Sequence, residues 1–146
     1  MKRMILLTML MCLAAGGANA DDFGLRGGFT MSPDQFHIGG HMDLGPVVES
    51  LRLVPNVEIG FGNDFTFVAL NADLIHDFPE TPWSVGGELG LNIVEHSGSG
   101  GSATDFGISA LGNYRLLLSS GKTLMLEAKL GIVDSPDLKL TVGWNF

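Results

Sequence analysis

Residues Leu138–Phe146 read LKLTVGWNF. Leu138, Leu140, Val142, Trp144 and Phe146 are apolar; Lys139, Thr141, Gly143 and Asn145 between them are polar or small. Successive side chains on a strand point to opposite faces, so this alternation predicts a strand with one apolar face and one polar face. Two aromatic rings, Trp144 and Phe146, fall on the apolar face at the last turn of the alternation.

The same period recurs upstream. Eight runs read as strands: Phe23–Met31, Phe36–Leu44, Leu51–Phe61, Phe65–His76, Trp83–Val94, Phe106–Leu118, Thr123–Ile132 and Leu138–Phe146. Turn chemistry separates them in SPDQ, GPVVES, GND, FPETP, HSGSGGSATD, SSGK and DSPD, rich in Gly, Pro, Asp and Ser. The motif Ser-Pro-Asp occurs at Ser32–Asp34 and again at Ser135–Asp137. In an up-and-down meander the first and seventh connections fall on the same end. Helical periodicity is nearly absent, and no boundary divides residues 21–146 into two domains. Pro55 lies inside the third run, where a closed sheet needs every N–H, and predicts a strand start or a bulge there.

The first twenty residues have another plan. Lys2 and Arg3 precede an apolar stretch from Met4 to Ala15, and Ala18-Asn19-Ala20 follows. This is the layout of a cleaved secretory signal, with residues 21–146 as the mature domain. Cys12 lies in the signal, so the exported domain has no disulfide. Without Lys2 and Arg3, six basic residues face sixteen acidic ones, a net charge near −10, which argues against a nucleic-acid partner. Beyond Ala15 no apolar run is long enough for a spanning helix, so a membrane would be crossed by strands.

The polar face of the runs is crowded with charge. Arg26, Arg52, Arg115, Lys129 and Lys139 supply five cations; Asp43, Glu58, Asp73, Glu88 and Glu127 supply five anions. Gly24, Gly28, Gly39, Gly60, Gly62, Gly86, Gly90, Gly107, Gly131 and Gly143 share that face. Opposite charges interleaved with glycine suit an enclosed space: the ions satisfy each other and the glycines leave room. Periodicity does not say which face is inside. A soluble lipocalin-like periplasmic barrel would turn the apolar face inward; a membrane barrel would turn it to lipid. Glycine weakens a water-facing strand, and such a strand has no need of balanced charge. Trp83, Tyr114 and Trp144 near strand ends on the apolar face suit a lipid–water interface.

A signal, eight alternating strands and a terminal aromatic strand together resemble the small bacterial outer-membrane barrels, of OmpA-type transmembrane-domain or OmpX size. The resemblance covers residues 21–146 as a pattern. It implies an all-β fold: a single antiparallel up-and-down eight-stranded transmembrane β-barrel in the outer membrane of a Gram-negative envelope, with both ends of the chain on the periplasmic side. It implies outer-membrane lipid and lipopolysaccharide as surroundings, and a monomer. In that family a terminal strand like Leu138, Leu140, Val142, Trp144 and Phe146 is the signal read by the barrel-assembly machinery. Only the connection His96–Asp105 exceeds a tight turn, so long adhesive loops are not expected.

Sites of chemistry are scarce. His37, His41 and Asp43 share a strand face, but positions i and i+4 on a strand lie about 13 Å apart, too far for one ion to bridge. Glu95, His96 and Ser97 could suggest a hydrolase triad in a lipid A-modifying enzyme, but adjacent residues on a strand point to opposite faces. No catalytic set, cofactor or metal is expected. Asp34, Asp64, Glu95, Asp105, Asp134 and Asp137 form an acidic rim at the outer end, read chiefly as solvated, with divalent-cation bridging to lipopolysaccharide as the alternative. With its interior filled by ions, an eight-stranded barrel is expected not to conduct.

Overall fold

The computed structural model describes residues 23–63, 65–96 and 101–146, with the His96 side chain excepted. The expected signal, Cys12, Asp64 and Ser97 lie outside the described residues. Nine strands follow in order: β1 Phe23–Met31, β2 Gln35–Met42, β3 Pro46–Val48, β4 Leu51–Phe61, β5 Phe65–Asp77, β6 Trp83–His96, β7 Ser102–Leu117, β8 Thr123–Val133 and β9 Leu138–Asn145. All pair antiparallel. Each long strand neighbours the next, β2 pairs with β4, and β1 pairs with β9, closing an eight-stranded up-and-down barrel. Both ends of the described chain meet where Phe146 N–H donates to the Phe23 carbonyl at 3.1 Å. That end is called the terminal end below, and the opposite one the far end.

Eight of these strands match the alternating runs to within a few residues, because period-two patterning sets both their existence and their parity. The ninth is a correction. Pro46–Val48, expected as part of a turn, forms a short strand against Leu51 and Arg52 of β4. Pro55 also departs from expectation: β4 is continuous through it, with Pro55 opposite Ala72 of β5. The reason is directional. Leu53 donates to Gly45 on the side away from β5, and Pro55, two residues on, faces the same side. The β2–β4 ladder ends at His41 and Asn56, so the N–H that Pro55 lacks falls just past the last paired position.

The faces are arranged opposite to those of a water-soluble protein. Leu89, Leu126 and Leu140 are 52%, 43% and 45% exposed and point outward, as do Phe36, Ile38, Leu130 and Ile132. Arg26, Glu58, Asp73, Glu88, Glu127, Lys129 and Lys139 are buried inside. Met42 is an exception on the apolar face; it is buried at the end of β2, opposite Phe23.

Glycine lets eight strands close so tightly. A Cβ on Gly28 would stand 1.9 Å from the carbonyl oxygen of Leu140 on β9, and one on Gly39 2.1 Å from that of Val57 on β4. These clashes are with backbone, so no side-chain rotation relieves them. Gly60 serves a different end: the Phe67 ring, opposite it on β5, occupies the space of its missing side chain.

The indole and phenol rings gather at one end. Trp83 and Tyr114 pack edge to face at the terminal end, with centroids 4.7 Å apart. Trp144 lies at the same end, and Lys122 from the β7–β8 turn stands over both Trp144 and Phe146, at 5.9 and 5.6 Å. The far half carries phenylalanines alone, Phe29 against Phe36 at 5.2 Å, then Phe61 and Phe106, while Phe23, Phe78 and Phe146 join the terminal end. Eight residue steps along β7 separate Tyr114 from Phe106. At about 3.3 Å per step and a tilt of about 40°, they span roughly 20 Å.

Candidate functional site

Six strands send acids or bases into one central cluster. Arg26 from β1 reaches Glu58 on β4 at 3.5 Å, Asp73 on β5 at 3.3 Å and Glu127 on β8 at 2.6 Å. Lys129, one inward position beyond Glu127 on β8, donates to both oxygens of Asp73 at 2.9 Å and to Glu88 on β6 at 2.5 Å. Lys139 of β9 donates to Glu58 and approaches Glu88 at 4.0 Å. The period of two makes this possible, because every second residue faces inward and each of these charges occupies such a position. Burying ions is costly, and the cost is offset only when each finds several partners. Here Asp73 accepts from two cations and from the amide of Asn56, which itself accepts from Asn71.

A second cluster lies toward the terminal end. Arg52 pairs with Asp43 and with Asp77, the latter at 2.5 Å, and Arg115 meets Asp77 at 2.8 Å. Asp77 is an interior anion one residue beyond the run expected to end at His76. It is the last residue of β5, two residues beyond the inward-facing Ile75, so strand parity places it inside. Together the clusters hold six anions to five cations, where an even balance was expected. Val54, Ile75 and Leu111 form a small buried apolar cluster in the interior. These three were also missed. Each stands beside another apolar residue, which masks the alternation.

The histidines are held apart, as strand spacing requires. His37 shares hydrogen bonds with Thr30 at 3.1 Å and Thr141 at 3.0 Å, whereas His41 bonds Asn145 at 2.9 Å and Asp43 bonds Arg52. Among the described residues no three His, Cys, Asp or Glu side chains converge as a metal site. Of the Glu95–His96–Ser97 set, only Glu95 has a described side chain, and it belongs to the acidic rim at the far end of β6.

Two cavities open from the ends. The terminal-end cavity, about 310 Å³, reaches down past Arg115 and Arg52 to Arg26 and Glu127. The far-end cavity, about 510 Å³, has Gln35 and Phe67 among its lining residues, and both Ser-Pro-Asp turns contribute to it. They share no lining residue. Glu58, Lys139, His37 and Lys129 line neither and are buried.

These features define a closed eight-stranded β-barrel with an ion-filled interior and an apolar mantle. Comparison with family models, with characterised proteins and with solved structures gives no match.

Proposed function

We propose that the chain is a small integral outer-membrane β-barrel protein whose plugged, charge-paired interior makes it a structural or surface-interaction element of the envelope, not an enzyme or a pore. The observation that carries this reading is the inversion of the faces: large apolar side chains cover the outside while buried ions fill the inside. Monomeric soluble proteins rarely expose contiguous apolar patches above a few hundred Å². A continuous apolar belt between ring-bearing ends matches the band that hydrocarbon requires. Closure supports it too, since lipid offers no partner for an unpaired strand edge.

On this reading Leu89, Leu126 and Leu140 meet acyl chains, and the surroundings are outer-membrane lipid and lipopolysaccharide. Residues 1–20 act as an export signal, and Leu138, Leu140, Val142, Trp144 and Phe146 are read by the barrel-assembly machinery. The barrel acts as a monomer. Cell fractionation tests the proposal: the protein should stay in the membrane pellet through carbonate extraction and, purified in detergent, migrate as a compact species that shifts on boiling. Recovery in the soluble periplasmic fraction would instead favour a water-soluble barrel.

A further inference from the structure

We propose that the far-end cavity is a binding site for a small organic cation, a primary ammonium carried on a short apolar stem. Gln35 and Phe67 lie at its base, 4% and 6% exposed. The Gln35 side-chain oxygen is buried there with no hydrogen-bond partner among the described residues. A buried acceptor left unpaired costs free energy that a donor entering the cavity would recover. Asp105 on β7 and Asp134 at the start of the β8–β9 connection line the same space, and among the described residues neither has an ion pair or a hydrogen-bonded side-chain partner.

The charges around the site are of one sign. All six basic residues of 21–146 lie elsewhere: Arg26, Arg52, Arg115, Lys129 and Lys139 in the interior clusters, Lys122 at the terminal end. Among the described residues no lysine or arginine competes for Asp105 and Asp134. The volume and the rings decide between a bare metal ion and an organic cation. About 510 Å³ falls in the range of small-molecule pockets. Phe65 and Phe67 give the cavity an apolar, ring-bearing side, suited to an alkyl stem and to the face-on approach of a cation. The ammonium would sit between the two carboxylates with one N–H directed at the Gln35 oxygen. Asn92 adds a neutral amide to the wall. This inference goes beyond the proposed function and does not depend on which side of a membrane the far end meets.

The test uses the full barrel in detergent micelles, titrated with n-butylammonium and followed by amide chemical shifts. Saturable binding is expected, with shifts concentrated at Gln35, Asp105 and Asp134. n-Butanol, of the same shape but neutral, should bind at least 10-fold more weakly. Asp134→Asn and Asp105→Asn should each weaken n-butylammonium about 10-fold or more, and Gln35→Leu about 10-fold. Glu95→Gln, on the same rim but outside the cavity, should change affinity less than 2-fold. Equal binding of n-butanol would mean apolar partition alone and overturn the proposal. So would an effect of Glu95→Gln as large as that of Asp134→Asn, which would mean diffuse rim charge. Calcium chloride binding the cavity more tightly than the amine would assign it to a metal and equally overturn it.

Discussion

The central and terminal-end clusters are built from the same chemistry and differ in their surroundings. In the centre the side chains of Arg26, Glu58, Asp73 and Glu127 have no solvent exposure, and each of the three cations meets at least two carboxylates. At the terminal end Arg52 and Arg115 are 13% and 34% exposed, and Arg115 holds Asp77 through a single nitrogen. Water can stand in for a lost partner in the second cluster but not in the first. The central cluster therefore fixes the relative positions of the strands, and the terminal-end cluster mainly finishes the mouth.

The largest expected effect is at Asp73. Asp73→Ala removes the acceptor shared by Arg26, Lys129 and Asn56, so three buried donors lose a partner at once, which costs about 3–5 kcal/mol. The midpoint of urea unfolding in lipid vesicles, followed by tryptophan emission, should fall accordingly; an unchanged midpoint would mean that water reaches the centre. Lys139→Met, at the edge of that cluster, should cost about 1.5–3 kcal/mol by the same assay, the value of a charged hydrogen bond. Arg115→Ala should cost about 0.2–1 kcal/mol, as for an exposed pair.

Salt sharpens the contrast. Raising ionic strength from about 0.1 to 1 M shortens the screening length from about 10 to 3 Å, so the cost of Arg115→Ala should shrink while that of Asp73→Ala stays. A salt-sensitive Asp73→Ala would place both clusters in water. The smallest effect is a null one. In planar bilayers neither the wild-type protein nor Arg115→Ala should show steady openings, because the seal lies in the centre and not at the mouth. Steady openings in Arg115→Ala alone would move the seal to the terminal end.

Much of this architecture was legible in the sequence because a barrel strand has only two faces. Once Arg26, Glu58 and Lys129 fix the parity of their strands, every second residue follows. Val54 and Ile75 follow from that parity too, but apolar neighbours at Leu53 and Leu74 hide the rhythm. Asp77 was lost because strand length is weakly encoded: His76-Asp77-Phe78 reads as easily as a turn as the end of β5. Pro55 misled because its missing N–H matters only if a neighbour needs it, and where the β2–β4 ladder stops depends on the whole barrel. Pairings within the central cluster were beyond reach for a related reason. Arg26 and Glu127 are 101 residues apart and meet only after the sheet closes. The need for glycine was visible, but not that Gly28 is required by a neighbouring backbone and Gly60 by the Phe67 ring.

The segregation of the rings makes the molecule its own reporter. Both tryptophans, Trp83 and Trp144, and the single tyrosine, Tyr114, sit at the terminal end, with nothing but phenylalanine to absorb at the other. Near-ultraviolet emission from the native chain is therefore one-sided. If the barrel spans a membrane as proposed, a quencher confined to one leaflet darkens it only when that leaflet holds the terminal end, so insertion polarity can be followed without a label.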